Sequence, residues 1–279
     1  MKAIIPAAGH GTRFYPLAKS VPKEMLPILG KPAIQWIVEE AIEAGSDEVI
    51  IITSSDKPAI TRHFTPDATL AERLNGRAEA VEALRHLDAL SSKVRFVEQR
   101  EQRGLGHAVL QAAPLLPSGD GLILILLGDA VVAGANASCE LVACSRAHGG
   151  ASVVGLEPVP LERVSRYGIV AGQTDDRGGL RLTDIVEKPA PEEAPSRLAV
   201  AGRYLLDARV LDFLAEEHVG KGGEIQLTDA IRMMLSEEPV YGLAYSGRRH
   251  DIGNPAGYLG ALNNFSTTEA VAVDSGQGQ

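Results

Sequence analysis

Cysteine is scarce, with two in 279 residues, and the seven histidines form no HExxH or other paired spacing. A disulfide framework and a zinc site are therefore both excluded as sources of stability. Cys139 and Cys144 fall in a segment that reads as a helix, where five residues of separation set them about 140° apart. They are expected to be buried, free thiols. Long apolar runs are also missing. The amino terminus, MKAIIPAAGHGTRF, has only a few apolar residues before its glycines, too short for a signal h-region or a membrane span. The expectation is a cytoplasmic protein. Positive charge is in deficit too, with 27 Lys and Arg against 36 Asp and Glu, a formal charge of −9. Such a surface repels a phosphate backbone, so nonspecific nucleic-acid binding is excluded and any phosphate must bind at a focused site.

What remains is an ordinary globular composition, 45% hydrophobic and 23% charged. At this length a folded chain buries roughly 75% of the surface that its unfolded form exposes, enough for one large core. The first half alternates apolar runs (KAIIPA, EVIIIT, KVRFVE, GLILILLGD) with amphipathic stretches, the pattern of a parallel sheet covered by helices on both faces. Pro32 can open a helix that Gly45 closes. Leu122 to Leu127 is apolar without alternation and predicts a central strand. The span 66–90 predicts one long or two short surface helices. After Gly150, strands follow at ASVVGLEPV, YGIVAG, LRLTDIVEK and LAVAGRYLL, with helices near 208–217, 226–237 and 255–264. Residues 266–279 are small and polar and predict a disordered tail. The expected fold is α/β: a Rossmann-like, mixed, mostly parallel central sheet with helices on both faces.

The first strand runs directly into Ala7-Ala8-Gly9-His10-Gly11-Thr12-Arg13, at the strand end where open α/β sheets bind ligands. Glycines let backbone N–H groups approach phosphate or base. The loop is neither the three-glycine dinucleotide fingerprint nor a Walker loop, and a plain tight turn is the alternative. Arg13, Lys19 and Lys23 follow in a segment stiffened by Pro16, Pro22 and Pro27, which sets cations against a polyphosphate. Asp129 follows Gly128 at the end of the central strand, where a carboxylate reaches the ligand crevice. Glu187 and Lys188 are adjacent in a strand, and regular alternation would point them to opposite faces.

The stretch Gly9-x-Gly-Thr-Arg-Phe-x-Pro, then Pro22-Lys23-Glu24-Met25-Leu26-Pro27 and Lys31-Pro32, resembles the sugar nucleotidyltransferases, and among them the bacterial UTP:glucose-1-phosphate uridylyltransferase group. Matches continue through Gly104-Leu105-Gly106-His107, Leu127-Gly128-Asp129, Val186-Glu187-Lys188-Pro189, Gly202-Arg203-Tyr204, the run from Gly222 to Ile231, and Asp251-Ile252-Gly253-Asn254. They cover roughly residues 2 to 264.

The resemblance implies uridylyl transfer from UTP to glucose 1-phosphate by attack at the α-phosphate, releasing pyrophosphate. It implies one nucleotidyltransferase domain over residues 1–265, with a nucleotide-binding half of about 1–150 and a sugar-binding half of about 151–265. Arg13, Lys23 and Lys188 are the implied catalytic cations. Ala8, Gly9, Gly11, Thr12, Arg13, Gln99 and Gly104 bind the nucleotide, and Gln99 suits uracil because its amide both donates and accepts. Gly128, Glu187, Lys188 and Gly202 bind the sugar phosphate, and Asp129 and Asp251 hold Mg2+. His10 and His107 are expected to pack loops only. A homodimer or homotetramer is implied, with the 66–90 helices and the 220–223 loop as places for oligomer contact or lid motion. One departure stands out: many members read Leu-Gly-Asp-Asp where this chain has Ala130 after Asp129. It motivates a noncatalytic sugar-nucleotide-binding alternative. A thymidylyltransferase is the other, although Pro22-Lys23-Glu24 and the Gly222–Asp229 run favour uridylyl transfer.

Overall fold

Alternation within the first strand settles how the sheet is covered. In Lys2–Pro6 (β1), Ala3 and Ile5 enter one core and Ile4 enters the other. Glu48–Thr53 (β2) divides in the same way, Val49 and Ile51 against Ile50 and Ile52. Parallel pairing in register sets Ile4 beside Ile50 and Ile125, so each face presents continuous apolar rows. Helix Ala33–Glu43 packs Ile34, Ile37 and Val38 on one face, and helices Leu105–Leu110 and Leu227–Met234 bring Val109 and Ile231 to the other. The computed structural model describes residues 1–74, 76–116, 121–176 and 178–276, excepting the side chains of 71 and 267–276.

The remaining strands of the sheet are Val94–Glu98 (β3), Leu122–Leu126 (β4), Ser152–Pro158 (β5), Gly168–Thr174 (β6), Leu180–Glu187 (β7), Leu198–Asp207 (β8) and Val240–Ala244 (β9). Their order is β3-β2-β1-β4-β8-β5-β9-β7-β6. The ladders β3–β2–β1–β4 and β5–β9 are parallel, whereas β8 and β7 run against their neighbours, so seven of the nine strands share one direction. The mixed, mostly parallel sheet expected from sequence is present. Strands β2 and β3 leave β1 on one side and β4 returns on the other. That reversal opens the crevice at the carboxyl ends of β1 and β4, where doubly wound sheets bind ligands.

Several local expectations are refined. Pro32 precedes the helix Ala33–Glu43, and Gly45 follows it at φ +95°. The 66–90 span holds two helices, Ala68–Arg73 and Ala78–Ser91. Cys139 and Cys144 lie on helix Ala137–Ala147 but are half-buried, at the margin of the core that Leu141 enters. The last helix, Pro255–Gly276, extends through residues 266–276 of the expected disordered tail, while 277–279 fall outside the described residues. No proline or glycine interrupts the chain from Ala261 to Ser275, so nothing local stops the helix. Strand β9 was not foreseen; Val-Tyr-Gly-Leu-Ala has no clean alternation, and parallel pairing with β5 makes it a strand.

Candidate active site

Two short connections bring the crevice together. Pro6 ends β1, Gly128 lies two residues beyond β4, and the Gly128 N–H donates to the Pro6 carbonyl at 3.2 Å. A Cβ at Gly128 would lie 2.7 Å from that carbonyl oxygen, so glycine alone permits the approach. Beyond it, Ala130–Ala133 forms an antiparallel ribbon with Arg248–Asp251, with Ala130 opposite Asp251 and the Ile252 N–H bonded to the Asp129 carbonyl at 2.8 Å. The ribbon is what unites two aspartates more than a hundred residues apart. A Cβ built on Gly253 would sit 2.9 Å from Asp251 Oδ1 and 3.0 Å from Asp129 Oδ2. Both carboxylates thus border one small space, and their hard oxygens suit Mg2+, which takes its other ligands from water and substrate phosphate. Asp251 is aimed by the Gly253 N–H at 2.9 Å and by Asn254 Nδ2 at 3.2 Å.

Lys23 enters from the 3-10 turn Lys23–Met25, its Nζ 2.6 Å from Asp129 Oδ2. Burial opposes the ammonium charge, but Asp129 and Glu24 outweigh it and hold the Lys23 pKa above the usual lysine range. Burial likewise opposes the Asp129 carboxylate, and Lys23 overcomes it, holding that pKa below the usual range. Both groups therefore stay charged at neutral pH.

The glycine loop curls over this pair. Gly11 has φ +63°, and the following 3-10 turn Thr12–Phe14 leaves Thr12 and Arg13 exposed. Beneath it lies Lys57, only 4% exposed, whose Nζ donates to the carbonyls of Ala7 (2.7 Å) and Gly9 (2.5 Å) and to both oxygens of the buried Glu24. Burial pushes the Lys57 pKa down and the Glu24 pKa up, and each partner's charge opposes that drift.

A cavity of about 300 Å3 is lined by Ala8, Gly9, Lys23, Gln99, Gly104 and Asp129 among others. Six of the residues predicted from sequence thus face one space. Gln99 is buried, with Nε2 directed at the Gly104 carbonyl (3.3 Å) and His107 Nδ1 (3.0 Å), which leaves its oxygen as the acceptor. Contrary to the expectation of a bystander, His107 fixes the Gln99 amide. Gly104, at φ +109°, abuts the Ile225 carbonyl so closely that a Cβ would lie 2.7 Å away. Gly11, Thr12 and Arg13 do not line this cavity, and neither do Glu187, Lys188 and Gly202.

Glu187 and Lys188 form a separate arm at the end of β7, whereas Gly202 lies in the middle of β8 against Leu127 and Ala130. Lys188 has φ +46°, which breaks the strand and folds its Nζ back to 2.9 Å from Glu187 Oε1, so two adjacent residues serve one side. Thr228 donates to Glu187 Oε2 at 2.6 Å. Lys221, from the 220–223 loop, caps the Lys188 carbonyl at 2.5 Å. Gly202 has φ +75°, and its carbonyl accepts from the Leu127 N–H at 3.0 Å. The neighbouring Arg203 is fully buried, pairs with both oxygens of Glu40 and donates to the Ala130 carbonyl at 2.8 Å.

Sequence reasoning missed Lys57, the partnership of Glu24, and Thr228. Glu24 and Thr228 stood inside matched motifs without a role, whereas Lys57 is an isolated lysine before Pro58 and carries no local signal.

A glycine loop after the first strand of a doubly wound sheet, cations beside it and paired aspartates at the switch point define a phosphate-handling, nucleotide-binding α/β protein. The chain belongs to the nucleotidyl transferase family, whose sequence description matches residues 2–268. A UTP--glucose-1-phosphate uridylyltransferase of Bacillus subtilis is 39% identical over 267 residues, 95% of this chain and 90% of that protein. One from Staphylococcus epidermidis is 41% identical over 260 residues, 92% and 89% of the two chains. A crystal structure of UDP-glucose pyrophosphorylase complexed with UDP-glucose superposes with a TM-score of 0.83 at 35% identity, covering 95% of this chain and 98% of that one.

Proposed function

We propose that the chain transfers the uridylyl group of UTP to glucose 1-phosphate, giving UDP-glucose and pyrophosphate. The observation that carries the proposal is the convergence of Lys23, Asp129 and Asp251 beside the glycine-loop cavity, which Lys23 and Asp129 line. A phosphate oxygen of glucose 1-phosphate attacks the α-phosphorus of UTP. The bond from that phosphorus to the α–β bridging oxygen breaks, and pyrophosphate departs with the electron pair. No enzyme nucleophile takes part, so catalysis is positioning and charge neutralisation.

Lys23, charged at neutral pH, offsets negative charge near the α-phosphate. Arg13, on the exposed turn after the loop, holds the β- and γ-phosphates that leave. Ala8, Gly9, Gly11 and Thr12 present backbone to the nucleotide. The Gln99 oxygen accepts from uracil N3–H, and Gly104 closes that wall. Glu187 accepts from sugar hydroxyls, Lys188 binds the sugar phosphate, and Gly128 and Gly202 keep the backbone clear for it. Mg2+ held by Asp129 and Asp251 supplies further charge neutralisation on the phosphates.

These roles divide one domain, residues 1–265, into a nucleotide-binding half of about 1–150 and a sugar-binding half of about 151–265; strands from both halves share one sheet. A cytoplasmic location and a homodimer or homotetramer complete the proposal. Among the described residues, no helix is long and apolar enough to cross a membrane.

Pyrophosphate release, assayed with UTP, dTTP, ATP and CTP in the presence of glucose 1-phosphate and Mg2+, tests the function. Turnover is expected with UTP. Preference for dTTP would reverse the choice of base, and no turnover with any nucleotide would leave a binding protein. Thymine differs from uracil by one methyl group, worth about 1–3 kcal/mol, so some dTTP turnover is expected.

A further inference from the structure

We propose that the buried Lys57–Glu24 pair orients the glycine-rich loop, holding the Ala7 and Gly9 carbonyls inward so that the next N–H groups face the triphosphate. The proposal rests on the nucleotide reading above and adds to it two buried residues that act through the loop.

Lys57 Nζ has four oxygens within 3.1 Å: the Ala7 and Gly9 carbonyls and both oxygens of Glu24. Its three protons are therefore committed within the protein. Lys57 is 4% exposed and Glu24 1%, so the ammonium has no path to a ligand on its own. A buried ion pair is poor value as a source of stability, because desolvation consumes the attraction between its members. Its two backbone contacts suggest another purpose. In a trans peptide unit the C=O of one residue and the N–H of the next point in opposite directions. Tyr15–Pro16 is the sole cis bond among the described residues, so the rule applies to the loop. With the Ala7 and Gly9 carbonyls turned toward Lys57, the Ala8 and His10 N–H groups point away from it. Neither N–H has an acceptor among the described residues, and Ala8 and Gly9 border the cavity. Outward N–H groups on a glycine loop are what an anion requires.

Glu24 completes the device. It is adjacent to Lys23 in the same 3-10 turn, and both its oxygens go to Lys57. Lys23 is thereby left to Asp129. One carboxylate thus lies between two ammonium groups and ties the loop to the catalytic lysine. Lys57 and Glu24 are positioning residues.

The test compares Lys57→Met, Glu24→Gln and the double variant. Affinity for UTP is read by titration calorimetry, KM for each substrate by pyrophosphate release, and folding by circular dichroism and Tm. Lys57→Met leaves a buried unpaired carboxylate and is expected to lower Tm sharply; the double variant removes both charges and restores it. The proposal requires UTP affinity to stay at least tenfold weaker in the refolded double variant, with KM for glucose 1-phosphate within twofold of wild type. A double variant that recovers both Tm and UTP affinity would overturn it, since the pair would then be structural only. Equal weakening toward both substrates would also overturn it. The calorimetric arm needs no turnover: a wild type that binds UTP without releasing pyrophosphate refutes the transferase reading and leaves the orientation proposal to be judged on affinity.

Discussion

Replacing Gly253 with alanine should separate stability from catalysis. A methyl group there would lie 2.9 Å from Asp251 Oδ1 and 3.0 Å from Asp129 Oδ2, whereas ordinary contact begins at 3.4 Å, so each carboxylate must retreat by about half an ångström. A misplacement of about 1 Å in a catalytic group costs on the order of 10²-fold, and half of that on both proposed cation ligands predicts a fall in kcat of roughly tenfold or more. The Mg2+ concentration for half-maximal rate should rise in parallel, because the two ligands no longer border the same space. Stability should change little. Gly253 is not among the glycines with positive φ, so alanine stiffens the unfolded chain by about 0.4–1 kcal/mol, which offsets the cost of moving two side chains. The assay is pyrophosphate release over a Mg2+ titration, paired with thermal unfolding. A variant with wild-type kcat and wild-type Mg2+ dependence would refute the placement of the cation between Asp129 and Asp251.

Asp129→Ala should lose turnover by orders of magnitude while keeping a wild-type circular dichroism spectrum; near-normal activity would remove Asp129 from the mechanism. Thr228→Val keeps the side-chain shape and deletes one hydrogen bond to the Glu187 carboxylate, worth about 1.5–3 kcal/mol. KM for glucose 1-phosphate should rise about tenfold or more with KM for UTP unchanged, and an effect confined to UTP would contradict the sugar-binding assignment of Glu187. Arg203→Met strands Glu40 and should cost about 3–5 kcal/mol of stability, read as the denaturant midpoint at constant slope. The Lys23–Asp129 pair sets a pH window for Tm. Asp129, with its folded pKa lowered, contributes stability above the ordinary carboxylate range and loses it as pH falls through the folded value. Lys23, with its folded pKa raised, contributes below its unfolded value of about 10.4 and loses that as pH rises through the folded one. Asp129→Asn should flatten the acid limb of the Tm profile, and an unchanged limb would assign it to other carboxylates.

The elements that sequence revealed are those whose cause is local. Pro32 and Gly45 bracket a helix through their own backbone preferences, and the uninterrupted apolar run of β4 follows from burial on both faces. Asp129 was legible because it ends such a strand. Glu187 and Lys188 were a paradox in sequence, since alternation parts them, and a left-handed residue at 188 resolves it. What stayed hidden depends on tertiary partners. Lys57 looks like any surface lysine until the loop folds over it, β9 is a strand only by virtue of β5, and His107 gains a purpose from the side chain eight residues away. Cys139 and Cys144 are half-buried because the fully buried positions of their helix are Ala137, Ser138, Leu141 and Ser145, which composition does not reveal.

The ribbon joining Ala130–Ala133 to Arg248–Asp251 bears on biosynthesis. A chain still on the ribosome completes β1, the glycine loop, Lys23 and Asp129 long before Asp251 is made. Most walls of the nucleotide pocket are therefore made early, Glu224 and Ile225 follow, and the second carboxylate arrives only after all nine strands of the sheet have been synthesised. On the proposed roles, a fragment ending before the ribbon holds nucleotide walls without a paired-aspartate cation site. Catalytic competence is thus deferred to a nearly finished chain, and truncated products are silent by construction.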